Sequence, residues 1–190
     1  MSRRALIIRT ILGVIEPAIR SRADRLYVLS EGRPGSARHK PKITNYYETG
    51  LVVAIYEFLL MSPDLAHLEI SHERRYSATT RPQQVDIWIK PPNGGRPTLI
   101  ECGDFTPGKI KHDARKMRAL NPHGTNWFLA FFRDQNVSSR EPWKTLKRCK
   151  GRKGSLKGVH LSLEQGFTGS FRIRLPNVQF DFGYSLIRIH

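Results

Sequence analysis

The sequence predicts an α/β fold, ordered helix, three strands, helix, strand, with a basic extension at each end. Three observations predict it. Two strand-like runs, residues 84–89 and 98–104, flank a turn-rich segment, 91–97, that reads Pro-Pro-Asn-Gly-Gly-Arg-Pro. An uninterrupted apolar run at 127–132 has the character of a strand covered on both faces. Between them, residues 109–120 lie between a Thr-Pro-Gly turn and the stop Asn121-Pro122-His123-Gly124.

The elements follow in order. In the apolar run 5–15, Ile8, Ile11, Leu12, Ile15 and Ile19 share one helical face. Arg9 interrupts that run and Glu16-Pro17 follows, so it reads neither as a secretion signal nor as a membrane span. Residues 25–30 read as a short strand, and 31–42 as a basic loop without apolar periodicity. Residues 44–61 form the clearest helix: Thr44 suits the N-cap, and Tyr47, Leu51, Ile55, Phe58 and Leu59 recur at helical spacing. Residues 68–76 read as a strand leading into the hairpin. Strand 98–102, helix 109–120 and strand 127–132 make a βαβ unit. Shorter strand-like pieces follow at 171–175 and 184–189.

One domain is the expectation for 190 residues: a basic N-terminal helix and loop (1–43), a core (44–134) and a basic C-terminal extension (135–190). The net charge of +16 is unevenly distributed. Residues 1–44 carry 10 basic and 3 acidic side chains, residues 45–134 carry 11 and 10, and residues 135–190 carry 11 and 3. A central acidic region with basic flanks fits a polyanionic partner, best a nucleic acid. The candidate phosphate contacts are Arg38, Lys40 and Lys42 in the first loop. Lys144, Lys147, Arg148, Lys150, Arg152, Lys153 and Lys157 follow in a tract without an intervening acid. Trp143 beside that tract is a candidate base-stacking residue. Cys102 and Cys149 match neither a disulfide framework nor a zinc-ligand spacing, so a reducing cytoplasm is expected.

Folding the hairpin brings Asp86 and Glu101 together, within about one residue of register. Two carboxylates converging from neighbouring strands repel one another unless a cation lies between them. A hard divalent ion such as Mg²⁺, which takes oxygen ligands, suits them.

This order of elements resembles the PD-(D/E)XK nuclease superfamily, with a carboxylate ending the second strand (Val85-Asp86-Ile87-Trp88-Ile89) and another in the third (Leu99-Ile100-Glu101-Cys102-Gly103). The resemblance covers about half the chain, residues 44–132. It implies a restriction-endonuclease-like αβββαβ core with a mixed sheet. It also implies metal ligation by Asp86, Glu101, the helix acid Glu48 and the backbone carbonyl of Cys102. Glu73 and Tyr76 look like the strand-one pattern, and Asp113 and Lys116 lie on the family's polar second helix. The motif lysine is missing: its position is Gly103. Lys109 and Lys116, with Lys111 behind them, are the candidates for that role.

The expectation is a Mg²⁺-dependent DNA nuclease of restriction, resolvase or transposon type, with Mn²⁺ able to substitute. The family's habits allow a homodimer. The alternative is a nuclease-fold protein without catalysis, serving as a nucleic-acid-binding or assembly module.

Overall fold

The computed structural model describes residues 3–31, 47–76, 83–133, 156–175 and 178–190. They fall into two compact units. The first comprises Met1–Ala66 with Ile173–Gln179, and the second His67–Arg172 with Phe180–His190.

In the first unit, helix α1 (Arg3–Glu31) packs on helix α2 (Tyr47–Leu60), and a 3₁₀ turn follows at Pro63–Leu65. Of the predicted apolar face of α1, Ile8, Ile11, Ile15 and Ile19 are buried and Leu12 is half-buried; Ile7 is buried as well. Residues 25–30 belong to α1 and are not a strand. The run Leu26-Tyr27-Val28-Leu29 is too short for periodicity to separate strand from buried helix. No glycine or proline after Pro17 interrupts the helix. A Cβ at Gly50 would stand 3.0 Å from Arg22 Nε, so any side chain there would press on that arginine.

The strands are β1 (Glu69–Tyr76), β2 (Gln83–Lys90), β3 (Thr98–Asp104), β4 (Thr125–Arg133), β5 (Leu161–Leu175) and β6 (Val178–Ile189). They form a six-stranded sheet in the order β1-β2-β3-β4-β6-β5, which makes up most of the second unit. Helix α3 (Pro107–Leu120) joins β3 to β4, which are parallel; β1–β2, β2–β3 and β4–β6 are antiparallel. The αβββαβ order, α2 through β4, is therefore present within an α/β fold. The strand pieces near the C-terminus are longer than their patterns predict, and both join this sheet. The stretch Gln165 to Ser170, with Phe167 its one large apolar residue, hides the length of β5.

Register divides the side chains between two faces. Trp88, Leu99, Phe128, Ala130, Ile187 and Ile189 share a face with α3, whose Ile110, Ala114 and Met117 complete one apolar core. Ile87, Ile100, Cys102, Trp127, Leu129 and Leu186 occupy the opposite face and are fully buried. Apolar residues on both faces explain why these runs do not alternate in polarity. On edge strand β1, the Arg74 guanidinium lies 3.6 Å from the Trp88 ring centroid, a cation–π contact.

Two polar devices fix α3. Thr106 caps its N-terminus by accepting from the Lys109 backbone N–H, and Pro107 follows at the first helical position. At the other end, Asn121 Nδ2 donates to Asn126 Oδ1 (2.9 Å) and to the Pro97 carbonyl (3.1 Å). Asn126 Nδ2 donates back to the Asn121 carbonyl (3.0 Å). A side chain at Gly124 would collide with the Asn121 amide. This clamp ties the helix end to the starts of β3 and β4. Among the described residues, no helix is long and apolar enough to cross a membrane.

Candidate functional site

The β2–β3 ladder runs Ile89↔Thr98, Trp88↔Leu99, Ile87↔Ile100. The paired ladder stops there, and Asp86 lies close enough to Glu101 for its charge to act on that carboxylate. The Asp86 carboxylate itself accepts the Cys102 backbone N–H, Oδ2 to N 2.7 Å. The β1–β2 ladder also lapses at Asp86: His72 pairs Ile87 and Arg74 pairs Val85, with Glu73 between them. Glu73 has a φ of 49°, a left-handed backbone unusual for a non-glycine residue. Both ladders are thus interrupted at the same residue of β2.

Glu101 is 2% exposed. Burial pushes its pKa from 4.5 up to about 8, with the Asp86 charge adding to the rise and Lys116 opposing it. A buried carboxylate needs a cation or a proton, and α3 supplies the cation. Lys116 Nζ lies 2.6 Å from Glu101 Oε1 and donates to the Gln84 carbonyl at 3.0 Å.

Asp113, which the resemblance places on the polar second helix, lies close to the Glu101 carboxylate. It is 2% exposed and lies between two lysines. Its Oδ2 is 3.1 Å from Lys109 Nζ and its Oδ1 is 3.7 Å from Lys116 Nζ. The signal was available: positions 109, 113 and 116 are i, i+4 and i+7, one helical flank. Lys109 then runs across Gly103, where an added Cβ would overlap its Cε and stand 3.3 Å from its Nζ. The glycine at the motif position leaves room for a lysine arriving from the helix.

The structure therefore brings Asp86, Glu101, Cys102, Lys109 and Lys116 together. Glu48 lies in the first turn of α2, in the other unit, and its side chain is outside the described residues. Thr44, Arg38, Lys40 and Lys42 are also outside them, as are Trp143, Lys144, Lys147, Arg148, Cys149, Lys150, Arg152 and Lys153. Lys157 is exposed in the turn before β5.

Among the described residues, no three His, Cys, Asp or Glu side chains form a metal-ligand cluster. Mg²⁺ commonly takes only one or two protein carboxylates, its other positions going to water and substrate phosphate. Asp86 and Glu101 are two carboxylates of the kind such a site uses, with Lys116 now against Glu101. No family model, curated protein or solved structure matches the chain.

Proposed function

We propose that this protein is a Mg²⁺-dependent nuclease hydrolysing phosphodiester bonds of DNA, of the PD-(D/E)XK type, with Mn²⁺ able to substitute. The observation that carries the reading is the Asp86–Glu101 pair at the interrupted end of β2, faced by two lysines from α3. Asp86, Glu101 and the Cys102 carbonyl would hold the ion. Bound there, it would lower the pKa of a water and stabilise charge on the scissile phosphate.

The chain's own residues do the rest. The Cys102 N–H orients the Asp86 carboxylate toward β3. Asp113 holds the Lys109 ammonium beside Gly103, where it can steer an attacking water by donating to it. Lys116 lies against Glu101 Oε1 at 2.6 Å, where a divalent ion would compete with it for the same carboxylate. The basic flanks, including Lys157, grip the sugar–phosphate backbone, which gives affinity without sequence information.

A specific observation favours a second reading. Lys116 already satisfies Glu101, as expected of a nuclease fold retained only for binding or assembly. One experiment separates the two: supercoiled, linear and branched DNA incubated with Mg²⁺, Mn²⁺ or EDTA, comparing wild type with Asp86→Asn. Metal-dependent cleavage that Asp86→Asn abolishes supports the nuclease. Binding without cleavage under any metal supports the module.

A further inference from the structure

The helix that turns Lys109, Asp113 and Lys116 toward the carboxylates carries a second set of cations on its outward side. Lys111, His112, Arg115 and Arg118 stand at i, i+1, i+4 and i+7 and form one stripe. His112, Arg115 and Arg118 are exposed, and Lys111 is half-buried. The helix's one acid, Asp113, is buried on the site flank. Among the described residues, Lys111, Arg115 and Arg118 have no ion-pair partner.

Helix stability does not explain this pattern. The N-terminal end of a helix carries partial positive charge and favours acids. The first turn of α3 holds none, while Lys109, Lys111 and His112 crowd its N-terminal half. An external polyanion would relieve that repulsion. Lys111, Arg115 and Arg118 rise along the axis in steps of about 6 and 4.5 Å. One strand of duplex carries a charge about every 3.4 Å of axis, so each long side chain can meet a separate phosphate. A membrane surface fits less well. Interfacial helices insert an apolar face beside the basic one, and the apolar face of α3 is committed to the sheet.

We propose that the outward face of α3 binds the sugar–phosphate backbone of duplex DNA and holds it alongside the Asp86–Glu101 site. The choice of DNA rests on the nuclease reading; the existence of a phosphate-binding face does not.

The test is duplex binding by fluorescence anisotropy, in EDTA, across a salt series. Wild type is compared with the triple variant Lys111→Gln, Arg115→Gln, Arg118→Gln. Glutamine matches lysine and arginine closely in helix propensity, so the melting temperature should hold. The slope of log affinity against log salt should become shallower by roughly 0.9 for each phosphate no longer neutralised, near 2.7 for all three. Affinity in 0.1 M salt should fall by roughly 10²-fold. If the triple variant fails to fold, Arg115→Gln alone should remove roughly 0.9 from the slope. An unchanged slope overturns the proposal, as does a wild type that binds no duplex. Loss of binding to phosphatidylserine vesicles with duplex binding intact overturns it in favour of a membrane face. Because EDTA excludes cleavage, a protein that binds through this face yet never cuts would remove only the nuclease reading.

Discussion

Lys109 runs across Gly103 so closely that any side chain at 103 would displace it. The two positions are complementary: the strand gives up its side chain and the helix fills the space with an ammonium group, anchored on Asp113 at 3.1 Å. If that ammonium assists the attacking water, Lys109→Ala should lower turnover by about 10²–10⁴-fold. Metal affinity should be nearly unchanged, and Gly103→Ala should lower turnover in the same direction. Single-turnover cleavage with a parallel Mn²⁺ titration checks this. Full activity of Lys109→Ala alongside loss in Lys116→Ala would transfer the role to Lys116.

Glu101 makes stability depend on pH in an unusual direction. Its folded pKa, about 8, lies above the ordinary 4.5. Between those values the native state holds a proton that the unfolded chain has released. This contribution to stability is full below pH 4.5, declines as pH rises, and is gone above about 8. Its size is on the order of a few kcal/mol. Glu101→Gln should flatten the curve and exceed wild type in stability at about pH 9, as urea midpoints from about pH 5 to 9 would show. Parallel curves for the two proteins would rule the effect out.

Removing Lys116 strands Glu101. Lys116→Met should cost roughly 1–2 kcal/mol more near pH 9 than the lost contact alone, because Glu101 must then take up a proton above its native pKa of about 8. The loss should shrink near pH 6, where the carboxyl holds a proton. Adding Glu101→Gln should recover most of it, giving a coupling energy above about 1 kcal/mol in a double-mutant cycle.

Asp86 has separable duties. Asp86→Asn keeps an oxygen that can accept the Cys102 N–H, so melting should barely change while cleavage disappears. Asp86→Ala orphans that N–H and should cost about 1–3 kcal/mol besides. Thermal melts and plasmid cleavage, run together, distinguish these losses. Undiminished cleavage by Asp86→Asn would remove Asp86 from the ligand set.

Asn121 is a purely structural test. Asn121→Ala removes the donor to Asn126 and Pro97 and leaves buried polar atoms unpaired. A loss of about 1–3 kcal/mol per orphaned group is expected by chemical denaturation. A loss below about 0.5 kcal/mol would mean the clamp is replaced by water.

Much of this was legible because apolar patterning fixes register. The turn at 91–97 and the apolar pairs Ile87–Ile100 and Trp88–Leu99 leave Asp86 and Glu101 little freedom in where they meet. Helix α3 was legible from its stops, Thr106-Pro107 and Asn121-Pro122. What local pattern could not give was the reach of long side chains. Lys109 and Lys116 are ordinary helix lysines until the sheet beneath them is known, and only the buried Asp113 between them assigns their different directions. Residues 25–30 pattern like a strand yet lie in α1, because four apolar residues in a row suit either element. The position of β6 beside β4 was hidden for another reason: nothing in either strand names a partner some fifty residues away.

That pairing bears on how the protein is made. Strand β4 presents one edge to β3, close in sequence, and the other to residues 182–189. During synthesis, at about 5–20 residues per second, the run Trp127-Phe128-Leu129-Ala130-Phe131 leaves the ribosome with its second edge bare. It stays bare until β6 has followed. An apolar edge exposed in this way is a template for pairing with another chain. Any truncation upstream of residue 182 would make that interval permanent, turning a passing hazard of translation into an insoluble product.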